Sequence, residues 1–153
     1  METIKDKIKA CDYVLANILG EQERIVYRNE SKIIAMNTAQ FEQGKGSDDK
    51  PLFNKNPIFD GTYSLSTALI NSRKSQGSLY NFYVTGDFLR GLQLKIRPNL
   101  VEFDIFSTGT GSGEKSIFFT GYTNLFGLNK DNSYILNYKI ILPELLIWIK
   151  KYL

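Results

Sequence analysis

The stretch Tyr83-Val84-Thr85-Gly86-Asp87-Phe88-Leu89-Arg90-Gly91 leads from a loop, through a short helix, to the clearest strand pair in the chain. Thr85 can cap a helix start, and Asp87 lies in the first turn, where the helix dipole favours a carboxylate. Phe88 and Leu89 supply apolar anchors, and the final glycine releases the chain. The sequence therefore predicts a helix that passes directly into a strand.

Two runs of alternating residues follow this helix. Residues 92–97 and 101–106 repeat apolar side chains with a period of two, as expected for strands with one buried face. The apolar positions are Leu92, Leu94, Ile96, Val101, Phe103 and Ile105. Pro98-Asn99 between the runs predicts a tight turn, so the second strand returns antiparallel to the first.

Length and composition favour one folded domain over residues 1–153. The 153 residues can bury roughly two thirds of their unfolded surface, and 42% of them are hydrophobic. Nineteen basic and sixteen acidic residues leave a net charge of +3. This small excess is spread along the chain, which argues against the concentrated basic face of a nucleic-acid-binding protein.

Histidine is absent and Cys11 is the only cysteine. The chain therefore lacks the usual proton shuttle and the commonest metal ligands, and we predict no metal and no cofactor. Cys11 lies on the apolar stripe of the first helix, so we expect a buried, inert thiol. The first residues carry no secretory segment and no run approaches the ~20 apolar residues of a membrane span. These features predict a soluble protein made in a reducing cytoplasm.

A long or kinked helical segment is predicted over residues 3–36. Thr3 is a plausible cap, and Gly20 either ends the first helix or lies where it continues or restarts. The apolar stripe repeats at spacings of three and four through Ile4, Ile8, Cys11, Leu15 and Ile18. Such a stripe is either core or a surface for a partner helix.

Residues 37–61 read as a loop, flexible around 42–61. Glycines, opposite charges and Pro51 oppose a packed element there. Asp48 and Asp49 could bind a cation, and a solvated loop tip is the alternative. The loop also contains four apolar residues, which we expect to pin it to the body or to a neighbouring subunit. They are Leu52, Phe53, Ile58 and Phe59.

Three further helices are predicted. Residues 63–74 form the first, with Arg73-Lys74 either touching phosphates or favouring the helix dipole. Residues 115–122 form the second. The third follows Asn129 as its cap, and Pro143 should kink or split it. Its wide apolar stripe makes it a central core helix or partly an oligomer contact. The predicted fold is α+β, an antiparallel hairpin or small sheet packed against N-terminal and C-terminal helices.

One segment imitates a phosphate-binding loop. Gly109-Thr110-Gly111-Ser112-Gly113-Glu114-Lys115-Ser116 follows a strand, precedes a predicted helix and keeps the motif's spacing to its Lys-Ser pair. Glu114, however, stands where the motif needs a glycine, and its carboxylate would face the phosphates. A flexible link between hairpin and helix, over residues 107–114, explains the glycines better.

The order of these elements resembles bacteriophage head-tail joining and tail-completion proteins, the small proteins of the virion neck. The matching features are Thr85-Gly86-Asp87-Phe88-Leu89-Arg90 before a strand hairpin, a short helix, Phe126-Gly127-Leu128 and a terminal helix. Further stretches are similar to uncharacterised proteins of phages and prophages. These are Asn37-Thr38-Ala39-Gln40-Phe41, Gly44, Tyr63, Lys74 and Gly77. The resemblance covers roughly residues 25–153, through short motifs.

The resemblance implies a non-enzymatic virion subunit that assembles into a ring in the host cytoplasm. Expected partners are further copies of the chain and other virion proteins, such as portal, adaptor or tail tube. Ring interfaces are heterologous, so each subunit needs two different surfaces. We expect these in the loop 52–59 and at an edge of the hairpin 92–106, with Leu92, Leu94 and Phe106. Burial within the subunit is the alternative for both.

Two other classes of function remain open. A carboxylate-based hydrolase could use Glu102, Asp104 or Asp87, although alternating surface charge also explains the first two. A nucleic-acid-binding accessory protein could stack bases on aromatic side chains near Arg73-Lys74. Those aromatic residues are Tyr80, Phe82 and Tyr83. Hydrophobic anchoring of the neighbouring turn is their alternative role.

Overall fold

The residues that the structure describes form two long helices, two short helices, a strand hairpin and a C-terminal helix. The computed structural model describes residues 3–52, 61–82, 86–97, 102–109 and 121–153. In chain order the elements are α1 (Ile4–Arg28), α2 (Glu30–Glu42), α3 (Leu65–Ile70), α4 (Asp87–Arg90), β1 (Leu92–Arg97), β2 (Glu102–Ser107), α5 (Lys130–Tyr134), a π-helical segment (Ile135–Ile141) and α6 (Leu142–Ile149). The last three are continuous and together make the C-terminal helix. The predicted α+β class is confirmed.

α1 begins at a capping box. Thr3 Oγ1 accepts a hydrogen bond from Asp6 N at 3.2 Å, and Thr3 N donates to Asp6 Oδ2 at 3.1 Å. The predicted cap is therefore confirmed. The helix runs on through Gly20 and ends at Asn29, whose side-chain amide donates to Ile25 O at 2.9 Å and to Glu144 Oε1 at 3.0 Å. The helix therefore ends at the buried side-chain amide of Asn29, which bonds both α1 and the C-terminal helix. Gly20 does not end it.

α2 is longer than predicted. The loop was expected from residue 37, yet the helix continues to Glu42. Asn37, Gln40 and Phe41 lie on its buried face, where the two amides bond the chain near Gly127. These long-range contacts extend the helix through residues whose local preference is weak, because tertiary packing overrides propensity.

The hairpin forms as predicted. β1 and β2 pair antiparallel, in a register that places Leu94 opposite Ile105 and Ile96 opposite Phe103. β1 alternates strictly between buried and exposed residues. The buried face packs on the core, since Leu92, Leu94, Ile96 and Ile105 all belong to the main apolar cluster. The turn at 98–99 lies outside the described residues.

Two glycines allow α4 to lie directly against the end of the hairpin. A Cβ on Gly109 would overlap the carbonyl of Asp87, and a Cβ on Gly91 would overlap the backbone of Gly109. Thr108 N donates to Gly91 O at 2.9 Å, and Ser107 Oγ donates to Phe88 O at 2.7 Å. Gly109, the first glycine of the segment that imitates a phosphate-binding loop, therefore allows close packing of the backbone against α4. The rest of that segment, from residue 110, lies outside the described residues.

The buried apolar side chains form two clusters of unequal size. The large one, which we call the body, collects residues from α1, α2, the hairpin, the segment after residue 121 and the π-helical segment. The small one joins Val14 and Ile25 of α1 to Leu145 and Trp148 of α6. We call this pair of helices the arm. Ile141 packs against both clusters and so links arm to body.

The two helices of the arm run in opposite directions. Arg28 pairs with Glu144 at 3.2 Å near one end, and the rings of Tyr13 and Tyr152 lie 4.7 Å apart near the other. The predicted effect of Pro143 takes an unexpected form. The helix does not split, because residues Ile135–Ile141 adopt π-helical hydrogen bonding immediately before it. Proline removes one donor and crowds the carbonyl four residues earlier, and the wider turn accommodates both effects.

Several sequence predictions are corrected by the structure. Cys11 is exposed, because it lies on the side of α1 next to the one that Val14 and Ile25 bury against α6. The helix predicted over 63–74 is limited to Leu65–Ile70, with Ser64 as its cap. Gly86, at φ 83°, precedes α4 in the position assigned to Thr85, which itself lies outside the described residues. The helix predicted at 115–122 also lies outside them, apart from its last two residues, which are not helical.

We expect Gly109→Ala to destabilise the protein by about 3 kcal/mol or more, because the added Cβ overlaps the backbone of α4. The matched control is Gly20→Ala. It lies inside α1 with nothing within 4 Å of the added Cβ, so it should stabilise by roughly 0.5–1 kcal/mol. Urea unfolding followed by circular dichroism measures both. Equal midpoints for the two variants would contradict the packing role of Gly109.

Candidate interaction surfaces

The two segments that carry the phage resemblance meet in the core. The ring of Phe88, in the first segment, lies 6.1 Å from that of Phe126, in the second. Phe88 also lies 5.7 Å from Phe41 and 5.3 Å from Phe82. Arg90 pairs with Asp87 on the exposed side of α4. The motif residues therefore hold the fold together, and only the Asp87–Arg90 pair among these contacts faces solvent.

Gly127 anchors the second segment through its carbonyl. Asn37 Nδ2 donates to Gly127 O at 2.9 Å, and Gln40 Nε2 donates to the same oxygen at 3.0 Å. Gln40 Oε1 in turn accepts from Asn129 N at 2.9 Å and from Asn132 Nδ2 at 2.8 Å. With φ at 114°, position 127 also needs a backbone that glycine adopts most readily. One buried glutamine thus joins α2 to the start of the C-terminal helix, where Asn129 acts as the predicted cap.

Asp48 and Asp49, the cation candidates, are hydrogen-bond acceptors that fasten their loop. Asn124 Nδ2 donates to Asp48 Oδ1 at 2.8 Å, and Asn129 Nδ2 donates to Asp49 Oδ1 at 2.6 Å. The bond from Asn124 lowers the pKa of Asp48, because it stabilises the charged form. No group of three or more potential metal ligands occurs in the described part of the chain. The loop is thus tied down between 43 and 52, and residues 53–60 lie outside the description.

Among the residues predicted to contact partners, three of the four that the structure describes are internal. Leu52 is 1% exposed, while Leu92 and Leu94 face the core. Phe106 is half-buried on the opposite face, across from Gln93. Phe53, Ile58 and Phe59 lie outside the described residues. For Leu52, Leu92 and Leu94 the alternative of burial within the subunit is the one observed.

Among the candidate nucleic-acid residues that the structure describes, Arg73 is exposed, whereas Lys74 and the aromatic residues have partners inside the protein. Lys74 is buried, with Nζ 4.6 Å from the centre of the Tyr63 ring and hydrogen-bonded to Asn81 Oδ1. Phe82 is buried against Tyr122, and Tyr80 packs edge-on against Tyr63. These rings do not offer free stacking faces, and Tyr83 is outside the described residues. Hydrophobic anchoring is the role observed for Tyr80 and Phe82.

The candidate catalytic carboxylates pair with arginines. Arg97 binds Asp104 through two hydrogen bonds of 2.8 Å, and its guanidinium lies 3.7 Å from Glu102. The carboxylate of Asp104 raises the pKa of Arg97, because it stabilises the protonated guanidinium. Glu102 and Asp104 share a strand face as predicted. Their ion pairs with Arg97 lie on the exposed side of the hairpin. Cross-strand charge pairing accounts for both residues.

One exposed apolar surface lies on α1, where the sequence had left open whether the stripe is core or a surface for a partner helix. Ile4 is 82% exposed, Ile8 56% and Leu15 72%. Together with Cys11 and the half-buried Ile18 they form the α1 row, one residue each three or four positions along the helix. The pattern identified this face correctly, but only the structure tells which part of the stripe is covered. Burial begins at Val14, on the neighbouring side of the helix.

A second exposed apolar surface follows the C-terminal helix. We call it the C-terminal row; its members are Ile135, Tyr138, Leu142 and Leu146 on the helix and Leu153 just beyond its end. Both rows therefore belong to the arm or its continuation. Apolar side chains that stay exposed in rows along a helix mark interaction sites more often than single scattered ones do.

No described helix is both long enough and apolar enough to cross a membrane. Comparison with protein-family models, with curated proteins and with solved structures found no match to this chain.

Replacing Gln40 by leucine should destabilise the protein by about 2–4 kcal/mol. The change removes bonds to Gly127, Asn129 and Asn132 and leaves buried polar groups without partners. Gln43→Leu is the matched control, since the neighbouring Gln43 side chain is exposed. Thermal and urea unfolding of both variants measure the difference. A Gln40→Leu variant as stable as its control would refute the anchoring role.

Asp48→Asn should make the free energy of unfolding depend less on pH in the acid range. Because the folded protein has a lowered pKa at Asp48, ionisation stabilises it above the ordinary pKa of 3.8, and this contribution is lost as the pH falls through the lower folded value. The variant should lose stability at pH 7 and lose less than the native protein below about pH 4. Asp131→Asn, at an exposed position, is the control. Parallel curves for native protein and Asp48→Asn would contradict this account.

Proposed function

We propose that the protein is a non-enzymatic structural subunit of a bacteriophage virion, a head-tail joining or tail-completion protein that assembles into a ring at the neck. It meets portal, adaptor or tail-tube proteins there after assembly in the host cytoplasm. The proposal draws on the resemblance of the segments around residues 85–90 and 126–128. Its physical support is the exposed apolar surface of the arm.

The observation that carries the proposal is the C-terminal row. Its side chains include Tyr138, 57% exposed, and Leu146, 46% exposed. Aromatic and large aliphatic residues that remain exposed along one helix are typical of surfaces that become buried on assembly. A structural subunit that is held by neighbours uses such a surface, whereas an isolated small enzyme has no need of it.

A ring needs a second, different surface on each subunit. The hairpin offers a candidate at β2. The other edge, on β1, is blocked where Glu30 Oε1 accepts from Leu94 N at 3.3 Å. Within the described residues β2 pairs only with β1, so its outer backbone groups face no other strand there. An edge of this kind accepts a strand or a polar side chain from a neighbour. Leu92 and Leu94 are buried, so we now expect the hairpin to contact its neighbour through the backbone of β2.

The test is the solution mass across a concentration series, with negative-stain images of any large species. We expect closed rings for the native protein, alone or on portal or tail-tube assemblies. Leu146→Glu should prevent them, because a charge in the C-terminal row cannot be buried without a partner. Leu69→Glu, at an exposed position of α3, is the matched control and should leave ring formation unchanged.

The result that would overturn the proposal is also specific. A protein that forms no ring up to millimolar concentration, and that binds neither portal nor tail-tube assemblies, is not a neck subunit. If rings still form with Leu146→Glu, the C-terminal row is not part of the contact between ring subunits.

A further inference from the structure

The α1 row has the spacing of a coiled-coil seam. Its residues follow one another at intervals of four, three, four and three positions, from Ile4 to Ile18. This repeat aligns apolar side chains with those of a second helix. The capping box at Thr3 holds the first turn in helical form, so the seam is already built before any partner arrives.

The charges beside the row are unevenly distributed along α1. Lys5, Lys7 and Lys9 lie in the first turns together with the capping-box residue Asp6, whereas Asp12 lies near the middle of the row and Glu21 beyond it. Lys5 and Asp12 are seven residues apart and so lie on the same flank of the seam. Both are exposed. A second copy running in the opposite direction would place its lysine beside this aspartate, and its aspartate beside this lysine.

We propose that the α1 row docks antiparallel on the α1 row of a second copy of this chain. Ile4 then packs opposite Leu15 of the second copy, and Ile8 opposite Cys11 of the second copy. The two Lys5–Asp12 contacts flank these layers symmetrically, as a two-fold interface requires.

This contact is separate from the proposed ring. It uses α1, whereas the ring is assigned to the C-terminal row and β2, and a two-fold contact closes on itself as a dimer. The two inferences therefore fail independently. The interface is short, a few apolar layers on each side, so it belongs with the small and weak protein–protein contacts.

The first experiment measures dimerisation of the full chain by sedimentation equilibrium, from about 10 micromolar to about 1 millimolar, the range of weak interfaces. Leu146→Glu serves as the background, so that ring formation does not interfere. Adding Leu15→Lys should raise the dimer dissociation constant more than about tenfold, because two buried leucines are replaced by charges. Adding Leu69→Lys, a matched change at an exposed position of α3, should leave it unchanged.

The second experiment determines the orientation. Two single-cysteine proteins are made, Ile4→Cys and Leu15→Cys, each combined with Cys11→Ala. Under mild oxidation the antiparallel pair predicts disulfide-linked dimers only when the two proteins are mixed. Cross-linking of each protein with itself, in place of the mixed product, would indicate parallel helices and overturn the inference.

Two further outcomes would overturn it. The first is a protein that remains monomeric at the highest concentration, or whose dimer tolerates Leu15→Lys. The second is a monomer that sediments with vesicles of anionic lipid through the same row, since lysines beside an apolar face also suit a lipid surface. Binding to vesicles lost in Leu15→Asp but kept in Leu69→Asp would identify the lipid as the occupant.

Discussion

The contact on which the body depends is the packing of Phe41 between two other phenylalanines. Its side chain is fully buried, and its ring lies 6.0 Å from that of Phe82 and 5.7 Å from that of Phe88. Phe88 belongs to α4, which Gly91 and Gly109 hold directly against the hairpin. Gln40, beside it on α2, bonds the start of the C-terminal helix. One turn of α2 therefore positions both the hairpin and the C-terminal helix, by apolar packing on one side and by buried amides on the other.

The sequence predicted those features that depend on local pattern. Alternation in residues 92–97, the caps at Thr3 and Asn129, and the packing role of Phe88 all follow from short-range physics, and the structure has them. The end of α2 could not be predicted in this way, because Asn37 and Gln40 find their partners about 90 positions further along the chain. Polar residues that favour loops in isolation were stabilised in a helix by contacts that no local window contains.

The candidate surfaces show the same limit. A periodic stripe identifies the apolar face of a helix, but it does not tell what covers that face. Cys11 and Leu15 lie on the stripe as expected and are nevertheless exposed, while Val14 and Ile25 on the adjoining side contact α6. Leu52 was expected to pin its loop either to the body or to a neighbouring subunit, and it is buried in the body. The loop is held by hydrogen bonds from the side-chain amides of Asn124 and Asn129, more than 70 residues further along the chain. Its ordered conformation therefore could not be predicted from the residues of the loop alone.

The π-helical segment before Pro143 decides which side of α6 meets α1. A π turn takes one residue more than an α turn, so each one rotates the following helix by about 100°. With this rotation Leu145 and Trp148 face Val14 and Ile25, and Leu146 is left outside. An α-helical path would turn a different pair of residues toward α1. Pro143, which makes the irregular turn favourable, therefore determines both the packing of the arm and the composition of the surface that the arm exposes.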